Sequence, residues 1–206
     1  MIFQQGQRVV FIGDSITDCG RRDHAEPYGD GYMSLVRAFV TAAHPELGLS
    51  WVNRGVSGDT VRNLAARWQH DVIEQRPDWL SVKIGINDVW RLFKGRPTEA
   101  VPIGEYESTL RALLTEAVER TGCGLVLADP YFIESDRDDP QYVMTGEYAR
   151  VVAALAEEFG ARHVPTQAAF DRVLETTRPD DWAGDRIHPN LAGHAVIARA
   201  FLAVID

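Results

Sequence analysis

Arg8-Val9-Val10-Phe11-Ile12-Gly13 is a short β-branched and aromatic run closed by glycine. Its apolar residues do not alternate with polar ones, so it reads as a strand buried on both faces. Further runs are Trp51-Val52-Asn53, Trp79 to Ile84 closed by Gly85, and Gly124 to Ala128 closed by Asp129-Pro130, with Arg162-His163-Val164 a weaker fifth. Between them, apolar residues recur at helical spacing. Tyr106, Leu110, Leu113, Leu114, Ala117 and Val118 do so between Glu105 and Arg120. Tyr148, Val152, Leu155, Ala156 and Phe159 repeat the pattern, as do Leu191, Ala195, Ala198, Leu202 and Ile205. Val61, Leu64, Trp68 and Val72 mark another helix, ended by Pro77, and Tyr32 to Ala43 a further one. Strands that alternate with helices of this length pair in parallel through right-handed crossovers. The expected fold is therefore α/β, a three-layer α/β/α sandwich in one domain over residues 1–206.

Composition narrows the partners. The chain has 206 residues, 45% hydrophobic and 25% charged, which excludes disorder and coiled coil. Its net charge of −9 gains nothing from the counterion release that drives nucleic-acid binding, and an anionic membrane face repels it. A small-molecule or neutral-polymer partner is favoured. No apolar run approaches the length of a membrane span, and Gln4 to Gln7 interrupt any signal-like core, so a cytoplasmic protein is expected. Cys19 and Cys123 make no C-x-x-C pattern, which predicts two reduced thiols and neither a zinc ribbon nor a disulfide framework; no metal or cofactor is expected.

Chemistry concentrates where strands end. Gly13-Asp14-Ser15 follows the first run directly, placing the Ser15 hydroxyl at the carboxyl edge of the sheet, where open parallel sheets bind ligands. The same residues also suit an ordinary turn or helix cap. In Asp185-Arg186-Ile187-His188 a carboxylate precedes an imidazole by three residues. Asp185 can accept from Nδ1–H of His188 and leave Nε2 as a base. Gly55, within Asn53-Arg54-Gly55-Val56-Ser57-Gly58, can expose its backbone N–H, and Asn87, within Gly85-Ile86-Asn87-Asp88, can offer a carboxamide donor. Asp14 reads mainly as a backbone partner. Asp14, Arg54, Asp88, Trp90, Tyr131 and Trp182 stand beside these groups as candidate substrate contacts, the aromatics suiting sugar faces as well as core packing. Lys94 to Gly104 and the acidic Glu134 to Pro140 read as long loops, the second solvated, with an interface element or substrate rim as alternatives.

Taken together, the blocks Gly13-Asp14-Ser15, Gly55 in its Asn-Arg-Gly-Val-Ser-Gly setting, Gly85-Ile86-Asn87-Asp88 and Asp185-x-x-His188 resemble those of the SGNH hydrolases, also called the GDSL esterase and lipase family, in the family's order. The resemblance implies a flavodoxin-like parallel sheet of about five strands. It also implies Ser15 as nucleophile, His188 as base oriented by Asp185, and an oxyanion hole from Ser15 and Gly55 N–H groups with the Asn87 side chain. Phe-Ile-Gly-Asp-Ser-Ile-Thr-Asp-Cys-Gly, Ile-Gly-Ile-Asn-Asp-Val-Trp-Arg and Asp-Arg-Ile-His-Pro-Asn-Leu-Ala-Gly-His are similar to the family's bacterial intracellular acetylesterases. That implies O-acetyl groups on xylo-oligosaccharides as substrate and a homo-oligomeric state. One departure stands out: Gly184 occupies the position before the last-block aspartate where those relatives carry an aromatic residue, and the nearest indole is Trp182. Rival readings are a thioesterase or lysophospholipase with a longer acyl pocket, a metal hydrolase using Asp185, His188 and His194, and a catalytically silent carbohydrate-binding protein.

Overall fold

The computed structural model describes residues 1–23 and 25–206. Five strands, β1 Arg8–Gly13, β2 Ser50–Gly55, β3 Trp79–Lys83, β4 Gly124–Ala128 and β5 Arg162–Val164, form one sheet in the order β2-β1-β3-β4-β5. Every pairing is parallel. The expected α/β sandwich is what forms, and β1 shows why its sequence is apolar throughout. Successive residues of a strand point to opposite faces. Val9 and Phe11 enter the core on one side, with Tyr32, Val36 and Phe201, while Val10 and Ile12 enter the other, with Leu64, Leu110 and Leu114.

The helices are α1 Ser15–Asp18, α2 Tyr32–Ala43, α3 Val61–Trp68, α4 Ile86–Phe93, α5 Ile103–Thr121, α6 Pro140–Glu158, α7 Thr166–Val173 and α8 Leu191–Ile205. Helices α2 and α8 pack together on the Phe11 side, and α3 packs on α5 across the sheet. The helix expected to run on to Val72 ends at Trp68, where the chain loosens into a π-turn over Gln69–Ile73. Three short helices have no counterpart among the expected elements: α1, α4 and α7. The glycine- and proline-containing loop is accordingly shorter than Lys94 to Gly104, lying between α4 and α5.

The order β2-β1-β3 means that the chain leaves β1 toward one edge and returns past it for β3. Crossover helices part at that switch, leaving a crevice beyond the carboxyl ends. Ser15 follows β1 and Asn87 follows β3, so the two flank it.

Phe11 is fully buried, stacked 5.2 Å from the Phe201 ring and in tilted contact with Tyr32 and Trp51. Its truncation leaves a cavity that three aromatic neighbours cannot collapse around. Phe11→Ala should cost about 3–5 kcal/mol of unfolding free energy, read from the urea midpoint at unchanged slope.

Candidate active site

Asp14 caps α1: its Oδ1 accepts the Ile16 N–H at 3.0 Å, and its carbonyl accepts from Thr17 and Asp18. The turn is thereby fixed, and Ser15 becomes the first helical residue. Among the described residues its N–H has no partner, as expected at a helix start. On the opposite wall, Asp185 Oδ1 accepts the backbone N–H groups of Ile187 (3.0 Å) and His188 (2.8 Å). Arg186 between them turns the chain at φ 67°. Asp185 Oδ2 accepts Nδ1–H of His188 at 2.6 Å, and Nε2 accepts the Ser15 hydroxyl at 2.8 Å. Burial alone would raise the Asp185 pKa, but the bonds from the His188 ring and the two backbone amides outweigh it and hold the carboxyl below its usual range. A carboxylate, an imidazole and an alcohol in this sequence of bonds can move the Ser15 proton to His188 as the oxygen attacks carbon.

The histidine loop is clamped from the segment that follows β4. Tyr131 Oη donates to the Ile187 carbonyl (3.1 Å), Ile133 N–H donates to the Arg186 carbonyl (3.0 Å), and Glu134 forms an ion pair with Arg186. Glu134 also accepts from the amides of Ser135 and Asp136. The acidic stretch is therefore not simply solvated: its first residue is buried and braces the site.

A cavity of about 500 Å³ opens beside Ser15, lined by Ile16, Cys19, Ser57, Gly58, Asn87, Trp90, His188, Pro189 and His194. Asn87 is buried, and one hydrogen of its Nδ2 goes to the Asp59 carbonyl at 3.0 Å, which leaves the other free. Gly55 does not face the cavity. Its N–H donates to Asn53 Oδ1 at 2.8 Å, and a Cβ there would lie 2.2 Å from the Asp18 nitrogen, so this glycine serves close packing of β2 on α1. The glycine that reaches the cavity is Gly58. It sits in a turn closed by Asp59 N–H to the Val56 carbonyl, at φ +86°, a conformation glycine adopts without strain. Its N–H is unengaged among the described residues.

The candidate substrate contacts separate in the same way. Trp90 lines the cavity. Asp14, Asp88 and Tyr131 do not: each is almost wholly buried. Asp88 Oδ1 accepts the Val61 N–H at 3.0 Å, starting α3, and burial pushes its pKa up to about 7. Arg54 pairs with Asp71 at 3.8 Å, away from the cavity. Trp182 packs on the core, its Nε1–H donating to Thr177 at 2.7 Å. Conversely, Cys19 lines the cavity without having been expected there, and His194, expected beside Asp185 and His188 only in the metal-hydrolase reading, lines it too. His194 Nδ1 accepts the Tyr32 N–H (3.2 Å) and Nε2 faces the Cys19 sulfur at 3.3 Å. Burial lowers the His194 pKa to about 4 and pushes the Cys19 thiol up to about 12, so both are neutral at pH 7. The spacing of Gly58 from Gly55 within one block was the only sequence signal for the cavity glycine.

Residues 11–196 match the GDSL-like lipase/acylhydrolase family. An acetylxylan esterase of Geobacillus stearothermophilus is 48% identical over 204 residues, covering 96% of this chain and 93% of the relative. The crystal structure of Axe2, an acetylxylan esterase from that organism, superposes with a TM-score of 0.96 at 46% identity, over 100% of this chain and 96% of the other. LAE5, an alpha/beta hydrolase enzyme from the metagenome of Lake Arreo, Spain, gives a TM-score of 0.96 at 45% identity, over 100% of this chain and 97% of the other. With the family's order of blocks and its five-stranded parallel sheet both in place, the chain belongs to the GDSL-like lipase/acylhydrolase family and is a carboxylic ester hydrolase.

Proposed function

We propose that the protein hydrolyses acetyl esters of xylo-oligosaccharides through an acyl-enzyme formed on Ser15. The observation that carries this reading is the bonded series Asp185, His188, Ser15 at 2.6 and 2.8 Å, ending at a cavity with free N–H donors. His188 takes the hydroxyl proton as Ser15 Oγ attacks the acetyl carbon. The oxyanion accepts from the N–H groups of Ser15 and Gly58 and from Asn87 Nδ2. The sugar oxygen leaves with the proton from His188, and water then attacks the acetyl group with His188 again as base. Solved catalytic mutants of Axe2 replace a serine, an aspartate and a histidine, which supports the same assignment here.

The substrate class rests on the relatives, a curated acetylxylan esterase and a structure described as an acetyl-xylooligosaccharide esterase. Trp90 offers the cavity an aromatic face on which a pyranose can lie. The reading includes action in the cytoplasm, supported by two unpaired thiols. It also includes assembly into a homo-oligomer, supported by the exposed side chains of Phe39 and Leu191. No helix among the described residues is long and apolar enough to cross a membrane.

Acetate release from acetylated xylo-oligosaccharides tests the function. Ser15→Ala should lower kcat by about 10⁴-fold or more. Asn87→Ala should lower it roughly a hundredfold by removing one oxyanion donor, and a loss under about threefold would take Asn87 out of the site. Among nitrophenyl esters, acetate should be cleaved with the highest kcat/KM; a preference for octanoate would replace the acetylesterase reading with a long-chain acyl hydrolase.

A further inference from the structure

Arg67 stands in the last turn of α3, outside the cavity, with its side chain 17% exposed. Its guanidinium donates to four groups: Nη2 to the Gly13 carbonyl (3.0 Å), Nη1 to the Arg54 carbonyl (2.7 Å), Nε to Asp59 Oδ2 (2.7 Å) and Nη1 to Asp71 Oδ2 (2.8 Å). Three of these acceptors belong to the chain segments that carry the oxyanion donors. Gly13 is two residues before Ser15 and ends β1. Arg54 closes on the end of β2, at the head of the turn that presents Gly58. Asp59 follows Gly58, and its own carbonyl takes the Asn87 Nδ2 hydrogen. One planar group thus spans the supports of all three donors.

We propose that Arg67 is the positioning residue of the oxyanion hole, fixing the Ser15, Gly58 and Asn87 donors relative to one another without touching substrate. The inference rests on the Ser15 reading of the site. Donors stabilise a developing oxyanion only when already aimed at it, and errors of an ångström lose most of the effect. A guanidinium presents its N–H groups in a rigid plane, so four acceptors on three segments are held at set angles. A lysine ammonium has three donors on one atom and cannot span the same acceptors. The neighbouring carboxylates keep the cation in place. Burial opposes ionisation of Asp71, yet the bonds from Arg67 and His70 prevail and hold its pKa below the usual range. Asp59, more strongly desolvated, is raised despite Arg67.

The test compares Arg67→Lys and Arg67→Met in two backgrounds, with Asn87 intact and with Asn87→Ala, measuring kcat, KM and thermal midpoint on 4-nitrophenyl acetate. Arg67→Lys should lower kcat about tenfold or more with KM changed less than about threefold. In the Asn87→Ala background the same substitution should cost under about threefold, because a hole already missing a donor has less to lose from misalignment. A merely structural arginine would lower the thermal midpoint equally in both backgrounds and make the kcat losses multiply. Equal fold-losses in the two backgrounds, or a kcat loss below tenfold in the intact one, would overturn the proposal. Should Arg67→Met fail to fold, Arg67→Lys, which keeps the charge beside Asp59 and Asp71, decides alone. Ser15→Ala in the same series separates the premises: if it turns over normally, both readings fall, whereas if it is inactive and Arg67→Lys is normal, only the role of Arg67 does.

Discussion

Because β1 lies between β2 and β3, the crossovers that follow β1 and β2 depart on different faces, and the sheet is left uncovered at its carboxyl edge between them. The strand ends there must be completed by something other than the next rung of the ladder. The Gly13 carbonyl accepts from Val56 and from Arg67, and the Arg54 carbonyl from Arg67. Those completions bring the β1 and β2 loops to fixed separations, and the cavity with its N–H donors is the space that remains. Gly55 permits the approach by having no side chain where α1 crosses β2. The site is thus a consequence of how the sheet edge satisfies its polar groups, and its precision comes from backbone bonds more than from the reacting side chains.

Charges set into that edge have to be balanced locally. Lys83, the last residue of β3, is fully buried, its ammonium 4.4 Å from the centre of the Tyr131 ring. Burial depresses its pKa, opposed by the fields of Asp14 and Asp129. The same burial raises Asp14 and Asp129, opposed by Lys83. Lys83 therefore makes each carboxylate less costly to keep out of water, and each carboxylate does the same for Lys83. The group is also mechanically linked to the site. Asp14 caps the helix that begins with Ser15, and Tyr131 bonds the Ile187 carbonyl just before His188. Ser15 and His188 are both held by one buried cluster.

Legibility in the sequence followed the range of the interaction. The five strands and the long helices were readable because their apolar spacing reports burial directly, as Val9 and Phe11 against Val10 and Ile12 show. The short helices were not. Ile86–Phe93 contains Asn87-Asp88, which by local preference form turns, yet it is helical, with Ile86 to Val89 buried and Asp88 accepting the N–H that starts α3. The Asp185 and His188 pairing lies within one turn of chain and could be read from spacing. The choice between Gly55 and Gly58 could not, since it depends on Asn53 occupying the first glycine's N–H. Asp14, Asp88 and Tyr131 follow strand ends, where ligand contact is suggested, yet the segments there need buried anchors, and these residues are the anchors. No spacing or motif in the sequence marks Arg67, and only tertiary structure shows its four acceptors.

The two walls of the cavity differ in exposure. Asn87 and Ile16 are buried, whereas the His188 and Asp185 side chains are about half exposed, at 48% and 51%. An oligosaccharide lying across the cavity would cover the imidazole and remove water from the Asp185 bond. Covering would ordinarily push a carboxylate toward its neutral form. Here the Ile187 and His188 amides already donate to Asp185 Oδ1, so the carboxylate has partners other than water with which to remain ionised when covered. In that drier surrounding its attraction for a protonated His188 grows. On the proposed mechanism, substrate coverage would therefore favour the imidazolium formed in the transition state over the uncharged ring. That difference between the two states is what lowers a barrier, and it follows from a loop whose backbone, rather than solvent, keeps its aspartate charged.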